Sequence, residues 1–437
     1  MAVIYIDPDW PNTGAGTFAN PYKSWASTAT LVAGNSYLQA EGTTFVGTIG
    51  PLGTGGTVNS RIIIGVYSRT DGSQVSRKGA ASINATGQSF GINITLARPY
   101  ITVDGFEIYG ATSANITKTA TSKSEAQYCI FKNLILRNAI SDGLLANGKG
   151  NQVIDCTIYG NGQDGARFVG DNLEISGCTM YDNGTTLSEG DCCQLLNCTD
   201  PIVYNNTFDH TNSVFKQAFI HNRDDGISTG GRIYDNTILC AQYVSGKPAL
   251  KSYYIGVPSV TTLRNKIEGG EFGAYLVATG QIFKDNVVIV SGDKPVVGVA
   301  IRASSVEVSN NTVIGGGQTT GSFGIDHENA ANTACVIKNN VVVSWPVGIR
   351  TDGATYSHNA FQSCAVRNGN AASAEGTAGT GDVTSNINLL NTFYPRSNSS
   401  LIEAGTYLSY GVDKAKKQRH NPPSIGAYEN ISVRGSR

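Results

Sequence analysis

Short apolar runs recur along this chain, and each starts just after an asparagine. They read Asn133-Leu-Ile-Leu, Asn206-Thr-Phe, Asn236-Thr-Ile, Asn265-Lys-Ile, Asn286-Val-Val, Asn311-Thr-Val, Asn340-Val-Val and Asn359-Ala-Phe. Cysteine takes the same place in Cys156-Thr-Ile and Cys178-Thr-Met. An interval of roughly 20 to 30 residues built from short strands predicts a solenoid. A second kind of strand lies between the marked ones: Asp142-Gly-Leu-Leu-Ala, Asp164-Gly-Ala-Arg-Phe, Asp191-Cys-Cys-Gln-Leu, Lys216-Gln-Ala-Phe-Ile, Phe272-Gly-Ala-Tyr-Leu, Val297-Gly-Val-Ala-Ile, Phe323-Gly-Ile-Asp and Val347-Gly-Ile-Arg. Each coil therefore carries at least two short strands separated by Gly/Asn/Asp turns. Local hairpins would not keep so long a period, so the strands stack in parallel from coil to coil. The asparagines then form a ladder whose side-chain amides bond the next coil. About ten or more coils, each rising ~4.8 Å, would run for about 50 Å.

This pattern divides the chain into three parts. Residues 1–60 are an irregular capping segment, in which Trp10, Phe18, Tyr22 and Trp25 are expected to cover the open end of an apolar core. Residues 61–365 are the coils, opening on Arg61-Ile-Ile-Ile-Gly-Val-Tyr. Residues 366–437 are a terminal segment, in which 366–385 reads as a long surface loop. The basic run Lys414, Lys416, Lys417, Arg419, His420 reads as solvated loop.

Composition narrows the class. The net charge is −1, which gives no electrostatic footprint for nucleic acid. No apolar stretch is long enough for a transmembrane helix, so no membrane insertion is expected. The start, Met1-Ala-Val-Ile-Tyr-Ile-Asp, reads as a strand and not as a signal peptide. Nine cysteines are an odd number, which argues against a secreted disulfide framework. Cys156 and Cys178 read as small buried fillers, and the Cys192-Cys193 pair lacks the spacing of a zinc site. No metal or other cofactor is expected.

The alternation of strand side chains sorts the second strands into columns. Leu144, Ala166, Cys193, Ala218, Ala274, Val299, Ile325 and Ile349 fit the inside. Leu145, Arg167, Gln194, Phe219, Tyr275, Ala300, Asp326 and Arg350 then point out, and His221 with Phe219. Just before the strands stand Asp142, Asp164, Asp191 and Lys216. Acids, bases and aromatic rings on a rigid sheet suit a sugar chain. The expected substrate-binding set is Arg167, Gln194, Phe219, His221, Arg223, Asp224, Asp225, Lys247, Tyr253 and Tyr254. Glycosidases need two carboxyl groups, about 5–5.5 Å apart for retention or roughly 6.5–9.5 Å for inversion. Stacked coils bring Asp164 and Asp191 near the shorter distance, and Glu189 lies diagonally near the longer one. The expected catalytic residues are Asp164, Glu189 and Asp191. The competing view is that Asp before Gly at a strand entrance is ordinary turn chemistry. β-Elimination would use other groups, a base and a cation drawn from Lys216, Lys247, Lys251, Arg167, His221, Tyr253 and Tyr254.

Two further stretches carry a family resemblance. Tyr5-Ile-Asp-Pro…Gly16-Thr-Phe-Ala-Asn-Pro-Tyr-Lys and Ser399-Ser-Leu-Ile-Glu-Ala-Gly…Arg419…Pro423-Ser-Ile-Gly-Ala-Tyr-Glu429 resemble the first and last coils of the pectate-lyase-like superfamily. The resemblance implies an all-β fold, a single right-handed parallel β-helix with an N-terminal cap and an irregular C-terminal segment. Within that superfamily the chain looks most like a bacteriophage tailspike or tail-fibre depolymerase. This implies action on bacterial capsular or exopolysaccharide, a homotrimer, contact with other virion tail proteins, and a place on the virion tail or outside the cell. Glycosidic hydrolysis by paired carboxylates is the expected reaction. A polysaccharide lyase and a non-catalytic glycan-binding spike are the alternatives.

Overall fold

A computed structural model describes residues 2–28, 30–95, 98–185, 190–212, 217–243, 251–316, 320–329, 331–369, 378–390, 393–406, 412–419 and 423–429. Glu189, Lys216, Lys247 and His420 lie outside the described residues. The chain forms two compact units, Met1–Asp209 with Arg223–Ile227, and His210–Asn222 with Ser228–Arg437. Each is a parallel β-solenoid.

In the first unit a coil contributes one strand to each of three sheets. Gln152–Ile154, Thr157–Tyr159 and Ala166–Val169 make one coil. The next repeats them in register, Gln152 opposite Glu174, Thr157 opposite Thr179 and Ala166 opposite Cys193. These are called here the first, second and third sheets. The second unit is built alike, with Thr261–Leu263, Lys266–Gly270 and Phe272–Leu276 as one coil. Val153, Ile158, Ile175 and Met180 point into the first unit and have no solvent exposure.

The corner between the first and second sheets is two residues long. Its first residue is left-handed: Asp155 (φ 53°) and Asn205 (φ 56°) in the first unit, Asp235, Arg264, Asp285, Asn310, Asn339 and His358 (φ 53–58°) in the second. Asn and Asp tolerate this region because their short polar groups bond locally, which accounts for most of the column. The second corner residue turns inward and carries the ladder. Asn265 Oδ1 accepts the Asn236 N–H at 3.0 Å, and Asn286, Asn311, Asn340 and Asn359 continue the pattern at 2.8–3.0 Å. In the first unit the Cys156 N–H meets Cys178 Sγ at 3.4 Å, and Asn206 Oδ1 accepts the Cys178 N–H at 2.8 Å. Both cysteines are buried and free. Asn133 does not belong to this row. It is itself the left-handed residue (φ 53°), and Leu134 takes the ladder place. Asn286 is a test of the ladder, since Asn286→Ala leaves the Asn265 N–H and the Thr262 carbonyl without their bonds. The expected loss is about 1–3 kcal/mol in chemical denaturation.

The sheets extend past the boundaries read from the sequence. Val3–Ile6 pairs with Ser36–Ala40, which pairs with Ile62–Tyr67, all parallel, so the first 60 residues already supply coils. Trp25 is buried with its ring 6.4 Å from Phe106, while Phe18 stays 40% exposed. At the other end Val366–Asn368 joins the third sheet beside Val347. Asp382 then ends the ladder by accepting the Asn359 N–H at 2.9 Å, so the described part of 366–385 is packed as a partial coil.

The basic run is likewise not all solvated. Arg419 is 7% exposed and bridges Asp285 and Glu429, the Glu429 contact being 3.1 Å. Lys414 Nζ donates to the Arg264 carbonyl, Lys416 pairs with Asp235 at 3.1 Å, and Thr406 bonds both Asn339 and His358. The terminal segment thus runs as a strap along the left-handed corners of the second unit. Leu401 and Ile425 pack it on Val341 and Ala360.

Candidate functional site

The outer face of the third sheet carries most of the polar chemistry, and each unit presents its own part. In the first unit Leu145, Arg167 and Gln194 stand in register and half-buried. The aspartates beside them are buried: Asp142 is 2% exposed, Asp164 and Asp191 1% each. Asp142 Oδ1 accepts the Asp164 N–H at 3.2 Å, and Asp164 Oδ1 accepts the Asp191 N–H at 2.9 Å. Arg167 lies 2.9 Å from Asp142 and 3.9 Å from Asp164. Burial pushes the Asp142 carboxyl up, and the Arg167 charge opposes it. The acid column is therefore a second ladder, in which one oxygen each of Asp142 and Asp164 is turned to the backbone of the next coil.

The 223–227 loop of the first unit is latched in the same manner. Asn197 Oδ1 accepts the N–H groups of Asp224 (2.6 Å) and Asp225 (3.1 Å), and Arg223 donates to the Gly226 carbonyl at 2.8 Å. Asp225 pairs with Lys123 at 2.7 Å, and Lys123 also reaches Asp171 and Thr199. Asp224 has an exposed side chain.

In the second unit three expected surface residues are core. Phe219 and Tyr253 have no solvent exposure and stack at 5.6 Å, and the Tyr253 hydroxyl bonds Thr262 at 2.6 Å. His221 is also fully buried. Phe219 is opposite Tyr253 and Ile220 opposite Tyr254, so Ile220, not Phe219, is the outward residue. Lys216-Gln-Ala-Phe-Ile has no glycine to fix its phase. A one-residue slip in aligning it exchanges inside and outside.

The true outward row runs Tyr254, Tyr275, Ala300, Asp326, Arg350. A second row runs Lys251, Phe272, Val297, Phe323, Val347. Between the rows the strand bends inward at glycine. A Cβ on Gly324 would come within 2.5 Å of the Gly348 carbonyl oxygen, so this position stays bare. The rings of Tyr254 and Tyr275 stack at 5.7 Å, and Phe272 meets Tyr275 edge-on at 4.9 Å. The Lys251 amine sits 5.0 Å from the first tyrosine ring and 4.5 Å from the second. Burial lowers the Lys251 pKa, and Glu271 partly offsets this. Burial raises the Glu271 pKa, with Lys251 as the offset. Further along the face Arg302 lies 2.6 Å from Asp326 and 3.2 Å from Glu328. Arg350 pairs with Asp326 and lies 3.5 Å from Glu328.

Of the expected residues, Arg167 and Gln194 face out in the first unit and Tyr254 in the second, beside Lys251. Glu271 was missed. It stands one residue before its strand in a Gly-Gly-Glu turn, and only the positions of Lys251 and Phe272 could have pointed to it.

Residues 119–288 match the family model for the right handed beta helix region. No curated protein matches the chain. Among solved structures, the PL6 family alginate lyase AlyGC aligns with a TM-score of 0.57 at 13% identity, over 99% of this chain and 60% of that one. The complex of XylC with xylose aligns at 0.54 and 10% identity over 98% of both chains. The Dettilon tailspike protein gp208 aligns at 0.47 and 12% identity, over 88% of this chain and 69% of that one, too distant to bear on function. Identities this low establish the fold alone. Among the described residues no helix is long and apolar enough to cross a membrane.

Proposed function

We propose that this protein binds an acidic polysaccharide along the outer face of the third sheet and cleaves it by β-elimination at Lys251. The observation that carries this reading is the Lys251 amine, held over two tyrosine rings and opposed by Glu271 in a half-buried site. The rings of Tyr254 and Tyr275 supply a flat apolar floor for a pyranose. Lys251, easier to deprotonate than an ordinary lysine, takes the C5 proton of a uronate. Glu271, easier to protonate than an ordinary glutamate, takes up a proton when the uronate carboxylate binds beside it, donates a hydrogen bond to that carboxylate and stabilises the charge that develops there. The C4–O bond breaks as the C4–C5 double bond forms, and the leaving oxygen takes up a proton from a tyrosine hydroxyl or from water. Hydrolysis by Asp164 and Asp191 is disfavoured by the use of one Asp164 carboxylate oxygen on the Asp191 N–H and by the burial of both.

Incubation with acidic polysaccharides separates the readings. Ultraviolet absorbance of unsaturated uronate ends rising with reducing ends supports elimination. Reducing ends alone mean hydrolysis, and binding without either means a glycan-binding protein.

The same geometry predicts a pH effect. In the substrate-free protein the ionised Glu271 carboxylate raises the Lys251 pKa, so Glu271→Gln lowers it further while keeping a hydrogen-bond donor. The limb of the pH–rate profile that rises with Lys251 deprotonation is expected to move to lower pH. A limb that stays in place, or moves up, excludes the pairing.

A further inference from the structure

The second unit holds a cavity of about 570 Å³ on the outer face of its second sheet, away from the third-sheet face. Three consecutive strands form its floor, Thr237–Gln242, Lys266–Gly270 and Val287–Ser291. Their outward residues stand in register, with Thr237 opposite Lys266, and Glu268 between Leu239 and Ile289. The first of these strands bulges. Leu239 pairs with Glu268 but Gln242 pairs with Gly270, so three steps on one strand meet two on the next. An extra residue of this kind bends the strand out of the ladder, and the exposed Gln242 that follows it forms part of the rim. A Cβ on Gly269 (φ 85°) would overlap the Cys240 carbonyl, so the strands close on each other at the bulge only because this residue is glycine.

The lining has two kinds of surface. Leu239 and Ile289 are half-buried and give an apolar side. Thr237, Gln242 and Ser291 contribute hydroxyl and amide groups whose side chains bond no other described residue. Lys266 and Glu268 lie 2.7 Å apart, each side chain 43% exposed, and set a donor beside an acceptor. A purely apolar ligand would strip water from these polar groups and leave them without partners. A ligand with no apolar face would gain nothing from covering Leu239 and Ile289. A pyranose meets both demands, with C–H groups on its faces and hydroxyls around its edge.

We propose that this cavity is a non-catalytic sugar-binding site that takes one or two pyranose units of a glycan. Its volume falls within the range of small-ligand sites, about 300–1,000 Å³. The Lys266 amine donates to one ring hydroxyl and the Glu268 carboxylate accepts from its neighbour, while a ring face covers Leu239 and Ile289. The site uses no residue of the third-sheet face, so it stands or falls independently of elimination at Lys251.

The test is saturation-transfer NMR and titration calorimetry on the full chain with the methyl glycosides of glucose, galactose, xylose, rhamnose, N-acetylglucosamine and glucuronic acid. At least one is expected to bind with a Kd of about 1 mM. Leu239→Trp fills the cavity from its apolar side and is expected to weaken that sugar by about tenfold or more. Ser291→Ala removes one hydroxyl and is expected to weaken it by about threefold. Cyclohexanol, a ring of similar size with a single hydroxyl, is expected to bind at least about threefold more weakly than the sugar. If Leu239→Trp does not fold, Ser291→Ala and Glu268→Gln decide the matter by the same loss of about threefold. No binding by any of the glycosides at about 20 mM overturns the proposal, as does sugar binding that these substitutions leave unchanged. Cyclohexanol binding as tightly as the sugar overturns the ligand class. A sugar lost in Tyr275→Ala but retained in Leu239→Trp sits on the third sheet and also overturns the proposal.

Discussion

Lys251→Met is expected to reduce cleavage by roughly 100- to 10,000-fold, the range for removing a general base. Methionine keeps an unbranched apolar stem over the two tyrosine rings but carries no amine. The loss should fall on kcat, with KM changed little, because the rings that bind the sugar remain. Stability should stay within about 1 kcal/mol, since the side chain is only partly buried. Single-turnover rates with thermal unfolding of the same sample make the check. A variant that keeps more than about a tenth of wild-type activity removes Lys251 from the mechanism.

Arg419→Ala is expected to produce the largest stability loss, about 3–5 kcal/mol in denaturant unfolding. The guanidinium is buried with Asp285 and Glu429 and also donates to the carbonyls of Gly426 and Ser424. Its removal leaves both carboxylates without their shared partner in a desolvated place. Burial already raises the Asp285 carboxyl, while Arg419 and Lys284 hold it down. Lys284 itself is pushed down to about 8 by burial. A loss below about 1 kcal/mol would mean that the strap is held by its apolar contacts alone.

The fold was legible because its cause is periodic and local. A left-handed corner favours Asn, Asp or Gly, and an inward amide beside it bonds the next coil, so both leave a visible mark on the sequence. The marks are ambiguous by one residue, which is why Asn133 reads as a ladder member although Leu134 fills that place. The site was less legible for the same reason. In a strand with glycine at its corner, as at Phe272-Gly-Ala-Tyr, the phase is fixed and Tyr275 falls outside as expected. Without it, at Phe219, a slip by one placed a core ring on the surface. The aspartate column was visible as a column, but a sequence does not reveal whether a carboxylate faces water or the next backbone. Glu271 and the Arg302–Glu328 cluster depend on turns between strands, where no period exists to align them.

The strap also restricts how the second unit can change in length. A solenoid ordinarily tolerates gain or loss of a whole coil, because each repeat touches only its neighbours. Here the terminal segment measures the stack, with Lys416 at Asp235, Arg419 at Asp285 and Thr406 at Asn339. One coil inserted between Asp285 and Asn339 would shift these partners by ~4.8 Å, beyond the reach of a hydrogen bond. Insertions there must come as longer loops between strands and not as extra coils, so coil number in this stretch is set by the strap that lies along it.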